Sequence, residues 1–321
     1  MQNGIINIYK EKGYTSHDVV AKLRGILHQK KIGHTGTLDP DATGVLMVCL
    51  GKATKLCDMI TDKNKTYRAQ LILGITTDTQ DISGAVKADC QQEIIKKYNN
   101  HEITIEQIKE VIQSFVGPYM QIPPMYSALK VNGKKLYDLA RQGKEVERKA
   151  RPVEIYAIKI EKIEFPYVIM EVSCSKGTYI RTLCEDIGEK LKTGACMGNL
   201  ERIQVGKFRI EDSLTLAQVE EQKEHINEIM IPIDAMFQTR SIAVKKESEA
   251  RIYNGNVISI RDIANIRNQD GKIEEKEVRF SDGEKIKVYN FENEFVALYQ
   301  YEKAENIFRV QKMFYEKTDK R

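Results

Sequence analysis

Residues 33–46 read GHTGTLDPDATGVL, which sets two carboxylates, Asp39 and Asp41, two positions apart in a polar, glycine-containing stretch that also carries His34. A carboxylate on a rigid loop can act as a nucleophile or as a general base. Either role requires it ionised near neutrality while shielded from water, and burial alone would neutralise it. A buried arginine partner offsets that effect and aims the carboxylate through a bidentate contact. Residues 175–188, SKGTYIRTLCEDIG, supply such a residue: Arg181 falls one turn into a predicted helix, with Tyr179 two residues before it.

Other chemistries compete for the same stretch. Neither G-x-G-x-x-G nor G-x-x-x-x-G-K-[ST] fits it, and Ala53 in GKAT stands where a magnesium-binding hydroxyl belongs in a phosphate loop. DPDAT matches D-x-D-x-[TV] and resembles the nucleophile motif of the haloacid dehalogenase phosphatases, which require magnesium. That motif ends an apolar strand, whereas here the apolar run GVLMVCLG follows the aspartates. Asp41 is then left with a side-chain hydrogen bond in the turn after Pro40, as short acids make in turns.

Elements that could hold these residues are legible along the chain. INIYK reads as a strand. SHDVVAKLRGILHQ reads as a helix with Ser16 as N-cap and Val19, Val20, Leu23 and Leu27 on one face. GVLMVCLG reads as a buried strand, and KTYRAQLILGITTDTQD as a strand ending in a polar turn. TIEQIKEVIQSF carries a capping box at Thr104 and Gln107. VEIYAIKIEKIEF and YVIMEVSCS read as strands joined around Pro166, and TYIRTLCEDIGEKLKTG as a helix that Gly194 ends. From about residue 241 the pattern changes to short strands, NVISI, KEVRF, KIKVYN, EFVALYQYE and IFRVQKMF, separated by turn residues.

Bulk composition bounds the function weakly. With 321 residues, 41% hydrophobic and 30% charged, the chain reads as an ordinary globular protein of about two domains. The net charge of +4 gives little support for an acidic partner, so local clustering must carry that case. Between Lys130 and Arg151 eight Lys/Arg stand against three acids, among Gly and Tyr residues, which suits an RNA backbone. No run approaches a membrane span, no secretory leader is visible, and the six cysteines form no C-x-x-C pair, so a reduced, cytoplasmic setting is expected. The five histidines never fall at zinc-ligand spacing, and no metal site is expected.

In order along the chain, GHTGTLDPDATGVL, KTYRA, TTDTQDISG, PPMYSALKVNGKKLYDLARQG, SKGTYIRTLCEDIGEKLKTGA and LERIQVGKF together resemble the TruB family, the tRNA pseudouridine-55 synthases, over about residues 3–235. The tail resembles that family's PUA-like domain more loosely. Met47 stands where many members carry proline, and Cys196 where histidine or tyrosine is common. Changes of packing, not chemistry, are expected from both.

The resemblance implies an α+β fold with a mixed, largely antiparallel central sheet flanked by helices. It implies a catalytic domain over 1–240, with 117–151 as an RNA-clamping insertion, and a β-rich PUA-like domain over 241–321. The implied reaction converts a uridine of the tRNA T-loop to its C-glycoside isomer after flipping it out of the stack, with no cofactor or metal. Asp39 would attack C1′ or remove the 2′-proton, and Arg181 would pair with it. Tyr67 would stack on the base and is the candidate for taking up the C5 proton. Tyr179 and Leu200 would line the pocket, and His34 would hold the space the base vacates. Lys134, Lys135 and Arg141 would contact phosphates. The expected partner is the tRNA T-arm, with no membrane, no protein partner and a monomeric chain.

Overall fold

The computed structural model describes residues 1–127, 129–131, 133–274 and 278–315, apart from the side chains of Lys130 and Lys135. The chain begins with β1 (Gly4–Lys10), α1 (Ser16–Ile26), β2 (Ile32–Thr35), β3 (Thr43–Leu50), α2 (Cys57–Thr61) and β4 (Lys65–Leu73). Next come β5 (Ile75–Thr77), β6 (Val86–Asp89), α3 (Gln91–Asn99), α4 (Ile105–Gln113) and β7 (Gly117–Gln121). The two-residue strands β8 (Lys130–Val131) and β9 (Lys134–Lys135) lead into α5 (Leu136–Arg141). Then follow β10 (Arg151–Glu164), β11 (Tyr167–Cys174), α6 (Ile180–Lys190), β12 (Ala195–Val205) and β13 (Phe208–Arg209).

The main sheet has the order β1-β3-β12-β4-β11-β10-β7, with β2 added on β3 and β13 on β12. Every pairing in it is antiparallel except β3 with β12, where Thr43 faces Glu201 and Gly44 faces Arg202 in parallel register. This is the mixed, largely antiparallel sheet that the resemblance implies. One large apolar cluster joins β4, β10, β11 and β12 to the Ile108–Ile112 stripe of α4 and to Ile180, Leu183, Cys184 and Ile187 of α6. A second packs β1 and β3 against Val19, Val20 and Leu23 of α1.

A separate sheet holds the C-terminal strands β14 (Ser241–Val244), β15 (Ile258–Ser259), β16 (Ile263–Arg267), β17 (Lys285–Tyr289), β18 (Phe295–Glu302) and β19 (Ile307–Met313). Leu298, Phe314 and Phe237 pack with Val45, Met47 and Phe208, so this sheet is docked on the underside of β3 by a continuous apolar seam. Met47 is part of that seam and is fully buried, and Cys196 is buried near Cys184.

Several local expectations change. The N-cap of α1 is Thr15, whose side chain accepts from Asp18 N in a capping box; Ser16 is the first helical residue and faces inward. The Thr104–Gln107 box forms as expected. α6 stops at Lys190, four residues before Gly194. In KEVRF, Lys276 and Glu277 lie outside the described residues, and residues 278–280 are in no strand. Strands β14 and β16 lie in SIAV and IANIR, neither of which is among the short strands the sequence led us to expect.

Candidate active site

Asp39 sits in the loop of residues 36–42 between β2 and β3, and four separate contacts hold that loop. The inward hydroxyl of Ser16 accepts from Leu38 N at 2.9 Å, which ties the loop to the start of α1. Ala42 N donates to Asp39 O at 3.1 Å and closes the turn. Gly13 N and the Lys10 ammonium both donate to Pro40 O, at 2.9 and 3.0 Å. Lys10 is completely buried and also donates to the carbonyls of Glu11 and Tyr14. Burial pulls its ammonium down to about 8.

The fourth contact is the side chain of Arg202, whose Nε donates to Val45 O at 2.7 Å and whose other branch donates to Gly36 O at 3.1 Å. The two ends of the loop are thus pinned to one guanidinium. Gly44 lets this happen: its φ is +101°, and a side chain there would put Cβ 2.3 Å from Arg202 O. This glycine, in β3, therefore serves close approach within the protein. Asp41 is exposed and makes no side-chain hydrogen bond among the described residues, so the turn stands on backbone contacts.

Arg181, the second residue of α6, is buried and reaches the loop from the other side. Its Nε lies 3.3 Å from Asp39 Oδ2, with its side chain 7% exposed against 45% for Asp39. The contact is not the bidentate one expected, because the other nitrogens are committed elsewhere. They donate to Thr79 O at 3.3 Å and Tyr126 O at 2.8 Å, and one lies 3.6 Å from Asp81 Oδ2. Asp81 is itself held by Thr79 Oγ1 and Ser83 N at 2.8 and 3.1 Å. The site is thus a buried arginine shared by two carboxylates, of which Asp39 is the one open to solvent.

Strand register places the remaining residues. In the antiparallel pair β4–β12, Tyr67 faces Arg202 and Ala69 faces Leu200. Alternation turns these four to one face. It sends Arg68 and Glu201 to the other face, where Arg68 pairs with Glu161, Glu171 and Glu201. Tyr67 and Leu200 both pack on the large apolar cluster. Burial pushes the Tyr67 phenol up, and the Arg202 guanidinium beside it opposes that shift. Tyr179 is the N-cap of α6, with its backbone bonded both ways to the Gln121 amide at 2.7 and 2.9 Å. Burial raises its phenol as well, and the charges of Arg181 and Asp39 act on it.

His34 lies in β2 just before the loop, edge-on to His17 with ring centroids 5.0 Å apart. Its Nδ1 is buried without a hydrogen-bond partner. Burial, together with the nearby His17 and Arg202, holds its ring down to about 4, so it is neutral at physiological pH. In the basic segment, Leu136 and Leu139 anchor α5 while Lys134 and Arg141 are exposed, with Arg141 over the Tyr137 ring at 5.5 Å. Neither joins Asp39, Arg181 or Tyr67 through a contact among the described residues, and the side chain of Lys135 lies outside them.

Three residues of this site are absent from the sequence reading: Lys10, Asp81 and Arg202. Parity along a strand was the available signal for two of them. Lys10 follows Ile6 and Ile8 on the inward face of β1, and Arg202 follows Leu200 on the inward face of β12.

Comparison with known proteins identifies the family. Residues 24–180 match the model of the TruB family pseudouridylate synthase N-terminal domain, and residues 181–238 that of the tRNA pseudouridylate synthase B C-terminal domain. The tRNA pseudouridine synthase B of Lachnoclostridium phytofermentans is 49% identical over 323 residues, covering 97% of this chain and 99% of its own. That of Clostridium perfringens strain 13 is 44% identical over 317 residues, covering 98% and 99%. Among solved structures, a Cbf5-Nop10-Gar1 complex superposes with a TM-score of 0.68 at 26% identity, covering 99% of this chain and 86% of the matched one. Family models that together span residues 24–238, and relatives 44–49% identical over nearly the whole of both chains, show that the chain belongs to the TruB family of pseudouridylate synthases.

Proposed function

We propose that this protein isomerises uridine 55 in the T-loop of tRNA to pseudouridine, with Asp39 acting on the ribose. The observation that carries this reading is the contact between Arg181 and Asp39. The guanidinium favours the ionised carboxylate, while Asp39 remains open enough to meet a substrate. A phosphatase built on D-x-D would instead turn both carboxylates to a divalent cation. Here Asp39 is occupied by an arginine and Asp41 points to solvent.

In this reading the substrate uridine leaves the stack of the tRNA elbow and enters between Tyr67, Tyr179 and Leu200. Asp39 attacks C1′ or takes the 2′-proton as the N1–C1′ bond breaks. The base turns, and C5 bonds to C1′ as the Asp39–C1′ ester breaks or as Asp39 returns the 2′-proton; the C5 proton then leaves to Tyr67, which has given its own proton to N1, and the C5–C6 double bond is restored. No group is gained and no electrons are exchanged, so the chemistry calls for no metal and no cofactor. His34, neutral and beside the loop, fills the space left by the flipped base. Residues 1–240 serve as the catalytic domain. Within them 117–151 is an RNA clamp through Lys134, Lys135 and Arg141, and 241–321 is a second RNA-binding domain. The separate C-terminal sheet supports that division. The protein works in the cytoplasm as a monomer.

The test is to incubate the protein with a T-arm hairpin in EDTA and measure pseudouridine. Conversion is expected with wild type and not with Asp39→Asn. Hydrolysis of a phosphoester on adding magnesium, with no pseudouridine formed, would overturn the reading.

A further inference from the structure

Arg202 is among the largest fully buried side chains in the protein, at 1% exposure. A buried guanidinium is costly unless it is paired. No carboxylate lies within ion-pair distance of Arg202 among the described residues. Its contacts are the carbonyls of Gly36 and Val45 and the phenol of Tyr67. Two neutral carbonyls compensate a buried cation poorly, so the charge is left for a group that becomes negative during the reaction.

Geometry identifies that group. Arg202 and Tyr67 are direct partners across β4 and β12, with side chains on the same face. The carbonyls of Gly36 and Val45 fix the plane of the guanidinium, and a guanidinium can only donate, so it meets the neighbouring phenol oxygen as a donor. Cys174 on β11 and Asp39 in the loop also act on that phenol, and both act against its ionisation. Arg202 is the cation placed to favour it.

We propose that Arg202 is a positioning residue for the last step of the isomerisation: it orients the Tyr67 phenol and stabilises the phenolate that accepts the C5 proton. Before that step the Tyr67 phenol gives its own proton to the N1 anion left by N1–C1′ cleavage; once C5 is bonded to C1′ the C5–H bond breaks, its proton passes to the phenolate oxygen, and the electron pair forms the C5–C6 double bond. Arg202 itself touches neither the base nor the ribose. This inference rests on the proposed isomerase reading. Wild-type protein that makes no pseudouridine would overturn that reading, whereas an active wild type beside an unaffected Arg202 variant would overturn only the role of Arg202.

The test is a double-mutant cycle read by single-turnover pseudouridine formation in a T-arm hairpin, with incubation extended to a day for slow variants. Arg202→Met is expected to bind the hairpin within about threefold of wild type and to react roughly 100-fold slower. Arg202→Lys, which keeps the charge and loses the fork, is expected to regain about tenfold of that rate. In a Tyr67→Phe background, Arg202→Met is expected to slow the reaction by less than about threefold, because the group it acts through is gone. A folded Arg202→Met variant at wild-type rate overturns the proposal. So do losses that multiply in the double variant, as they would if Arg202 served only to hold the loop. Where Arg202→Met does not fold, the cycle is run with Arg202→Lys. Its loss must then vanish in the Tyr67→Phe background, and a lysine variant at wild-type rate, or an undiminished loss, overturns the proposal.

Discussion

Arg181 and Asp39 meet at 3.3 Å across the boundary between interior and solvent, the arginine 7% exposed and the aspartate 45%. The asymmetry matters. A fully buried pair would be closed to substrate, and a fully exposed one would be worth little and be screened by salt. The arginine is fixed first, by Thr79, Tyr126 and Asp81, and it then presents one N–H to the loop.

Removing that fixed cation is therefore expected to hurt both folding and rate. Arg181→Met leaves Asp81 without its cation and the carbonyls of Thr79 and Tyr126 without their donor. The cost is about 3 kcal/mol, or roughly 6–12 °C in Tm. Single-turnover conversion falls by more than about 100-fold. Arg181→Lys retains part of the stability, since an ammonium cannot serve all four partners at once. Melting curves beside conversion rates check both.

Asp41 is expected to be dispensable. It is exposed and unbonded, so Asp41→Asn should leave Tm within about 1 °C and conversion within about threefold. Loss of all conversion in a well-folded Asp41→Asn protein would return the two carboxylates to a shared role.

Lys10 is expected to matter to stability more than its strand position suggests. Lys10→Met leaves the carbonyls of Glu11, Tyr14 and Pro40 without their shared donor, although Gly13 N still reaches Pro40. A loss of about 2–3 kcal/mol is expected, seen as a lower denaturant midpoint with unchanged slope. A variant as stable as wild type would show that the ammonium costs as much to bury as it contributes.

His34 gives a signature in pH. Its folded-state value is pulled down from 6.5 to about 4. Between these pH values the unfolded chain takes up a proton that the folded chain does not, so stability falls as pH drops from 6.5 toward 4 and the effect is absent above 6.5. Because the ring is partly exposed, the contribution is discounted to about 1–2 kcal/mol. His34→Phe is expected to flatten that part of the stability–pH curve. An unchanged slope would show that the ring titrates normally.

How much of this was legible in the sequence depends on what each residue bonds to. Asp39 and Arg181 could be singled out because their motifs are local and their chemistry is recognisable by type, whereas Tyr67 entered only through the family resemblance. Lys10 and Arg202 could not, because they bond backbone carbonyls that no sequence pattern marks. Their inward parity on apolar strands was the only trace. Asp81 was inside a quoted segment, TTDTQDISG, but its meaning arises only when that turn meets α6, about a hundred residues later in the chain. Ser16 was misread for a similar reason. Its hydroxyl serves Leu38, twenty-two residues away, instead of capping its own helix. Strands β14 and β16 of the C-terminal sheet were missed because SIAV and IANIR are short and one of them borders a turn-rich segment.

The most direct test compares wild type and Asp39→Asn on one T-arm hairpin in EDTA, scored for pseudouridine at the target uridine after a single turnover. The account predicts complete conversion by wild type and a rate lower by more than roughly 1,000-fold for the variant, with RNA binding kept within about threefold. Conversion by Asp39→Asn at a rate near wild type, or no conversion by wild type until a divalent metal is restored, would contradict it.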